Sequence, residues 1–212
     1  MREKLNTFIK AVLAGVCISI GGAVFLSVEN KALGATLFTI GLFTICVFGL
    51  NLYTGKVCYC LENSLDYLLD VVIIWLGNLV GTFCSARLLL LTRVGANMKD
   101  IAAAICSVKL NDSMLSIFIL AVFCNMLIYI GVEGYKTNPH EVGKYLALFF
   151  GVVVFILCGF EHCIANMFYF SVAKVWSLNT FVYLLIMTAG NAVGGLFFPV
   201  LRGLCRRKDD NA

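Results

Sequence analysis

The sequence predicts an all-α membrane protein of six transmembrane helices, built as two oppositely inserted halves whose second and fifth helices are broken. Three observations carry this. Hydrophobic residues make up 61% of the 212 residues and charged residues 13%, and mean hydropathy is +0.94; soluble domains sit near half apolar and a quarter charged. A chain of this length supplies about six segments of roughly 20 residues, each long enough to cross the hydrocarbon layer. Finally, Gly77-Asn78-Leu79-Val80-Gly81 recurs as Gly190-Asn191-Ala192-Val193-Gly194, 113 residues later.

Met1 to Lys10 is short and basic and leads straight into an apolar run, so no cleaved signal peptide is predicted. Span 1 covers about Phe8 to Val28, with Gly15, Gly21 and Gly22 giving a smooth face for close helix packing. Glu29-Asn30-Lys31 is a turn. Span 2 begins near Ala32 and is apolar to Leu50, after which Asn51 to Lys56 forms a polar, glycine-containing break. Backbone freed from a helix at membrane depth is tolerated only where it is buried in protein or lines a cavity. Span 3 covers about Tyr67 to Leu91, and Thr92 to Asp112 reads as a polar, basic connection. Span 4 is about Ser113 to Val132, and Glu133 to Glu141 is a loop. Span 5 runs from about Val142 to Val172, too long for one straight crossing, so a break near Gly159 is expected. Span 6 is about Leu178 to Leu201.

The halves, about residues 8–92 and 113–201 of a single domain, have matched breaks and matched Gly-Asn motifs. Three spans separate the members of each pair, and an odd number reverses the direction of insertion. Interrupted helices in matching positions of inverted repeats point to a midplane binding site. Lys and Arg set the orientation. Termini inside puts Arg2, Lys4, Lys10, Lys56, Lys136, Lys144, Arg202, Arg206, Arg207 and Lys208 in the cytoplasm, against Lys31, Arg87, Arg93, Lys99, Lys109 and Lys174 outside. Arg87, Arg93, Lys99 and Lys109 could make a vestibule that concentrates anions.

Gly159-Phe160-Glu161-His162 puts a carboxylate and an imidazole inside a hydrophobic run. An ionisable group in hydrocarbon costs on the order of 3 kcal/mol on insertion scales, so it needs a partner, a wet cavity or a broken helix. The default reading is a substrate or proton path. A buried pair that only locks helices together is the alternative. Ten cysteines are scattered among apolar residues, where reduced Cys acts as a small hydrophobe. Cys58-Tyr59-Cys60 is the only close pair and lacks a second pair or a His at zinc spacing, so no metal site and no cofactor is expected. A net charge of +4 is too dispersed for nucleic acid. No phosphate loop, nucleophile elbow or other catalytic signature is present, which argues against an enzyme.

These residues resemble the formate/nitrite transporter family over nearly the whole chain. The match rests on Gly159-Phe160-Glu161-His162 through Ala165-Asn166-Met167, on Lys144 at the start of the same span, on Leu52-Tyr53-Thr54, on Cys124-Asn125, and on the Gly-Asn motifs of spans 3 and 6. Lys109 stands where the family has a vestibule lysine. Gly151 replaces a frequent proline and Tyr53 a frequent phenylalanine. The resemblance implies an aquaporin-like protomer in a homopentamer of the cell membrane, with one pore per protomer for small monovalent anions: formate, nitrite, lactate or acetate, and hydrosulfide in one branch. It implies that His162, Thr54, Lys109, Asn125 and Leu52 lie along the pathway. Phe38, Leu42, Ile128 and Phe155 would form its apolar constrictions, and Glu161, Asn166, Lys144 and Asn191 would support them.

A bare anion entering a dry constriction faces an idealised cost of order 20 kcal/mol, several after relaxation. Protonating a carboxylate of pKa near 4 at neutral pH costs about 4 kcal/mol. The neutral acid is therefore the expected species in the driest section, with His162 near its reference pKa of about 6.5 as a proton source or relay. A neutral-solute pore is the nearest alternative, but Pro139 and Pro199 are the only prolines and neither sits in an Asn-Pro-Ala loop. A scaffold that carries no flux is the other.

Overall fold

The computed structural model describes the backbone of residues 2–209 and the side chains of residues 2–205; Arg206, Arg207 and Lys208 lie outside the described side chains. The elements in chain order are α1 (Arg2–Ser27), α2 (Lys31–Phe38), α3 (Ile40–Val47), α4 (Tyr53–Lys56) with a 3-10 turn at Val57–Glu62, α5 (Leu65–Leu89), α6 (Gly95–Leu110), α7 (Met114–Thr137), α8 (Glu141–Leu157), α9 (Cys163–Ala173) and α10 (Leu178–Asp209). Among the described residues, α1, α5, α7 and Leu178–Cys205 of α10 are long and apolar enough to cross a membrane. The remaining apolar length lies in two interrupted segments, α2–α3–α4 and α8–α9.

Both interruptions close the same way. α3 runs into Gly49 at φ +62°, with Gly49 N–H donating to Cys46 O at 3.3 Å and Leu50 N–H to Ile45 O at 2.9 Å. α8 runs into Gly159 at φ +69°, with Gly159 N–H donating to Ile156 O at 3.1 Å and Phe160 N–H to Phe155 O at 2.9 Å. This paired closure through a left-handed residue satisfies the last carbonyls of a helix, and glycine takes that backbone without a Cβ penalty. The first break thus lies at residues 48–52, earlier than expected, because Tyr53 to Lys56 already form a helical turn. Thr39 adds an interruption that hydropathy does not reveal: its hydroxyl donates to Thr36 O at 2.6 Å and separates α2 from α3.

Helix α6 corrects the expected polar connection. Gly95, Met98, Ala102 and Cys106 form its buried stripe at helical spacing, and it packs on α9. α9 is buried along its entire length.

Asparagines brace the breaks. Asn78 on α5 donates to Ala11 O (2.7 Å) and Asn51 O (3.0 Å) and accepts from Tyr53 N–H (2.9 Å). Asn191 on α10 donates to Ala121 O (2.8 Å) and Glu161 O (2.8 Å) and accepts from Cys163 N–H (2.9 Å). In an apolar solvent each such bond fills a donor or acceptor that no water would reach. Close helix approach brings these partners together. A Cβ on Gly81 would lie 2.2 Å from Val12 O, and one on Gly194 would lie 2.0 Å from Val122 O. Only glycine lets α1 meet α5, and α7 meet α10, at that distance.

Candidate functional site

A cavity of about 700 Å³ opens between the end of α1, the turn to α2, the end of α6 and the start of α7. Its rim carries Glu29, Lys31 and Asp112, and its floor carries Phe38, Phe155, Glu161, His162 and Asn166. The matched helices α1 and α7 meet it with opposite ends, so they run in opposite directions.

His162 sits in extended backbone (φ −97°, ψ 111°) just ahead of α9, and its Nδ1 accepts the Ala165 N–H at 3.1 Å. The imidazole is thus the N-cap of α9, which fixes its ring and its tautomer. With a donor aimed at Nδ1, the ring proton is on Nε2. That nitrogen lies 3.0 Å from Thr54 Oγ1 on α4 and donates to it. Both side chains are buried. Phe155 stacks on the imidazole with centroids 5.5 Å apart, and Phe38 meets Phe155 edge-on at 6.2 Å. The cavity therefore ends on an apolar pair with an imidazole–hydroxyl pair beneath it.

Beside His162, Glu161 Oε2 accepts from Lys109 Nζ at 2.6 Å and from Asn166 Nδ2 at 2.7 Å. The Lys109 side chain is 13% exposed and the Glu161 side chain 3%. Lys109 is therefore a paired cation, not a free one. Glu161 and His162 lie between α8 and α9, outside any helix, and successive residues of extended backbone point to opposite sides. Asn166 Oδ1 is buried without a hydrogen-bond partner among the described residues.

The other sequence-selected residues fall in three places. Asn125 is a strut: its Nδ2 donates to Thr54 O at 3.1 Å and to Asn191 O at 2.7 Å. Leu52, Leu42 and Ile128 are buried but do not line the cavity. Lys144 pairs with Glu141 on the exposed first turn of α8, away from the site. Arg87, Arg93 and Lys99 are exposed and do not line the cavity, so Lys109 alone of the expected basic group does so. Opposite, the far ends of α7 and α10 are tied to the 3-10 turn. Tyr59 donates to Glu133 at 2.8 Å, Arg202 donates to Glu133 at 3.3 Å, and Lys136 lies 3.8 Å over the Tyr59 ring.

Sequence reasoning missed a cluster around Thr188. Tyr53 donates its hydroxyl to Thr188 O at 3.2 Å, and Trp75 donates Nε1–H to Thr188 Oγ1 at 3.1 Å. A signal was present: Trp75 and Thr188 each stand two residues ahead of a Gly-Asn motif.

The chain as a whole is similar to known proteins. The sequence model of the formate/nitrite transporter family matches residues 1–203. Formate channel FocB of Escherichia coli (strain K12) is 27% identical over 186 residues, covering 79% of this chain and 66% of that protein. Formate-nitrite transporter 3 of Toxoplasma gondii is 28% identical over 89% of this chain, but the match spans only 44% of its length. The probable formate transporter of Methanothermobacter thermautotrophicus is 27% identical, with coverage of 91% and 85%. Among solved structures, a pentameric formate channel with formate bound is similar at a TM-score of 0.80 and 24% identity over 97% of this chain and 98% of that one. An FNT family ion channel is similar at 0.78 and 22%, over 92% and 87%.

Proposed function

The chain belongs to the formate/nitrite transporter family, and on that premise we propose that it is a selective channel for small monovalent anions or their conjugate acids, formate or nitrite first. It is a multi-pass membrane protein of a transporter family, not an enzyme. We read the broken segments as two further crossings, giving six in two inverted halves of one domain. We place this protein in the cell membrane as a homopentamer with both termini in the cytoplasm. The relatives named as formate channels and the similar pentameric formate channel support this reading.

The observation that carries it is the Thr54–His162 bond beneath the Phe38–Phe155 pair. Nε2–H of His162 is spent on Thr54 Oγ1, so the hydroxyl hydrogen of Thr54 is the donor left for an oxygen of the passing acid. A second proton on Nδ1 would face Ala165 N–H and uncap α9. His162 thus holds its proton and polarises Thr54, while a carboxylate takes up a proton from the wet cavity before the apolar pair. That uptake costs about 4 kcal/mol at neutral pH, less than carrying bare charge through. The Lys109–Glu161 pair presents the remaining Lys109 N–H donors to an anion entering the cavity.

Formate, nitrite, lactate and hydrosulfide flux into proteoliposomes, at acidic and neutral pH, tests the reading. His162→Asn keeps a capping acceptor for α9 and loses the ring donor. It should cut formate flux about threefold to tenfold, the loss expected for an ordinary hydrogen bond. Unchanged flux and pH profile would remove His162 from the mechanism. Wild-type vesicles that pass no tested anion would return the chain to the scaffold reading.

A further inference from the structure

The two halves meet at Thr188 through residues that occupy the same place in each. Tyr53 and Cys163 each follow their break by the same count and each give an N–H to a bracing asparagine. Trp75 and Thr188 each precede that asparagine by three residues. Equivalent residues touch directly only where a local two-fold axis passes, and here all four gather. Tyr53 Oη donates to Thr188 O at 3.2 Å, Trp75 Nε1 donates to Thr188 Oγ1 at 3.1 Å, and the Cys163 thiol lies beside the Thr188 side chain. Thr188 gives its own proton to Leu184 O at 2.8 Å, so its hydroxyl oxygen is free to accept from Trp75.

We infer that Tyr53 and Thr188 are positioning residues that set the Thr54–His162 hydrogen bond by fixing the two breaks to one point. Tyr53 is bonded to Thr54 and Cys163 to His162. Each member of the bonded pair is one residue from an anchor. Tyr53 is held at both ends, by its N–H on α5 and its hydroxyl on α10. Sliding one break against the other lengthens the 3.0 Å bond between Thr54 and His162, and the Thr188 cluster opposes that slide. The inference rests on the channel reading for its transport consequence, but its geometric content stands apart from transport.

Tyr53→Phe removes one hydroxyl and leaves the ring. In wild-type background it should lower formate-over-chloride selectivity about threefold to tenfold, the range set by a weak to ordinary hydrogen bond. In a Thr54→Ala background, where nothing remains to be positioned, the same change should alter selectivity less than about twofold. Thr188→Val keeps the carbonyl that accepts from Tyr53 but removes the hydroxyl shared by Trp75 and Cys163, so it should lower selectivity through the break at His162, and Thr188→Ser, which keeps that hydroxyl, should restore wild-type selectivity. Equal loss in both backgrounds would overturn the inference and leave a plain helix tie. The chain has only two histidines, His140 and His162, so ¹⁵N-labelled imidazole spectra read the ring without any flux. The Nε2–H resonance of His162 should move toward the unbonded position in Tyr53→Phe and stay in place in the distant control Tyr145→Phe. A resonance unmoved in Tyr53→Phe would overturn the positioning role, whereas a shifted resonance with no formate flux in wild type would overturn only the channel reading.

Discussion

Compare α1–α5 with α7–α10. The two share their joints: a left-handed glycine, a paired closure of the last helical carbonyls, and an asparagine that spans the gap with three bonds. They differ at the tips those joints hold. The residue that caps the short helix is Leu52 in one half, with no side-chain bond, and His162 in the other, bonded through Nδ1. The residue before it is Asn51, reaching Thr7 O at 3.3 Å, against Glu161, in an ion pair with Lys109. Repetition therefore builds the frame, and departure from repetition builds the candidate site. Symmetry alone would give a sealed bundle with two identical apolar caps.

If the shared joints are structural, breaking either should cost the same. Asn78→Leu and Asn191→Leu each orphan two buried backbone groups of a break, Asn51 O and Tyr53 N–H in one half and Glu161 O and Cys163 N–H in the other, at about 1–3 kcal/mol apiece. Both should abolish recovery of folded protein from detergent or lower its thermal midpoint by more than ten degrees or so. A large loss at one position and a small loss at the other would break the comparison, because the halves would not then lean on equivalent braces.

Unequal tips predict unequal costs. Lys109→Ala leaves Glu161, 3% exposed, with only Asn166 to answer its charge. Breaking a buried pair from one side costs about 3 kcal/mol or more. Adding Glu161→Gln should recover most of that stability, since a neutral amide keeps the Asn166 contact. Asn51→Ala, the counterpart change, should cost about 1 kcal/mol. Formate uptake distinguishes structure from steering. The stable double variant should lose the ionic-strength dependence that wild-type uptake shows, because attraction at a distance is screened by salt. Identical salt dependence in both proteins would leave Lys109 as a structural partner of Glu161 alone.

Much of the frame was legible in the sequence, because hydropathy and glycine spacing are local. The long helices, the break at Gly159 and the paired Gly-Asn motifs could be read off directly. Helix α6 was not, since Lys99, Asp100 and Lys109 mask a stripe of small residues that hydropathy hardly weighs. The site was legible as residues but not as contacts. His162 stood out as an imidazole in an apolar run, yet its partner Thr54 lies 108 positions away. The Glu161–Lys109 pair spans 52 positions and turned an expected free cation into a neutralised one. Lys144, which the resemblance set among the supporting residues, pairs with Glu141 at the surface instead, because both stand on the exposed first turn of α8.

The finest test of the comparison is a swap between halves. The carbonyl of each bracing asparagine accepts a second bond from a side chain. In one half Thr82 Oγ1, on the same helix, gives it, at 2.9 Å from Asn78 O. In the other Asn125 Nδ2 gives it, at 2.7 Å from Asn191 O. Their counterparts are glycines, and both are required by space. A Cβ on Gly15, opposite Asn125, would lie 2.5 Å from Asn78 O, and one on Gly195, opposite Thr82, would lie 2.4 Å from Asn125 Nδ2. The two halves thus solve one problem with mirrored pairs, small against donor. Gly195→Thr alone should destabilise by about 1–3 kcal/mol through overpacking, and Asn125→Gly alone by a similar amount through its two lost hydrogen bonds and a glycine inside α7. Together they recreate the arrangement of the first half. Their combined cost should fall short of the sum by about 1 kcal/mol, as residues in contact show, measured as thermal midpoints of the purified protein. The remaining loss should appear at Thr54, whose carbonyl would have given up the 3.1 Å bond from Asn125, and so in formate flux ahead of stability. Strict additivity in the cycle would mean that the mirrored pairs are coincidence and that the two halves brace their breaks by different physics.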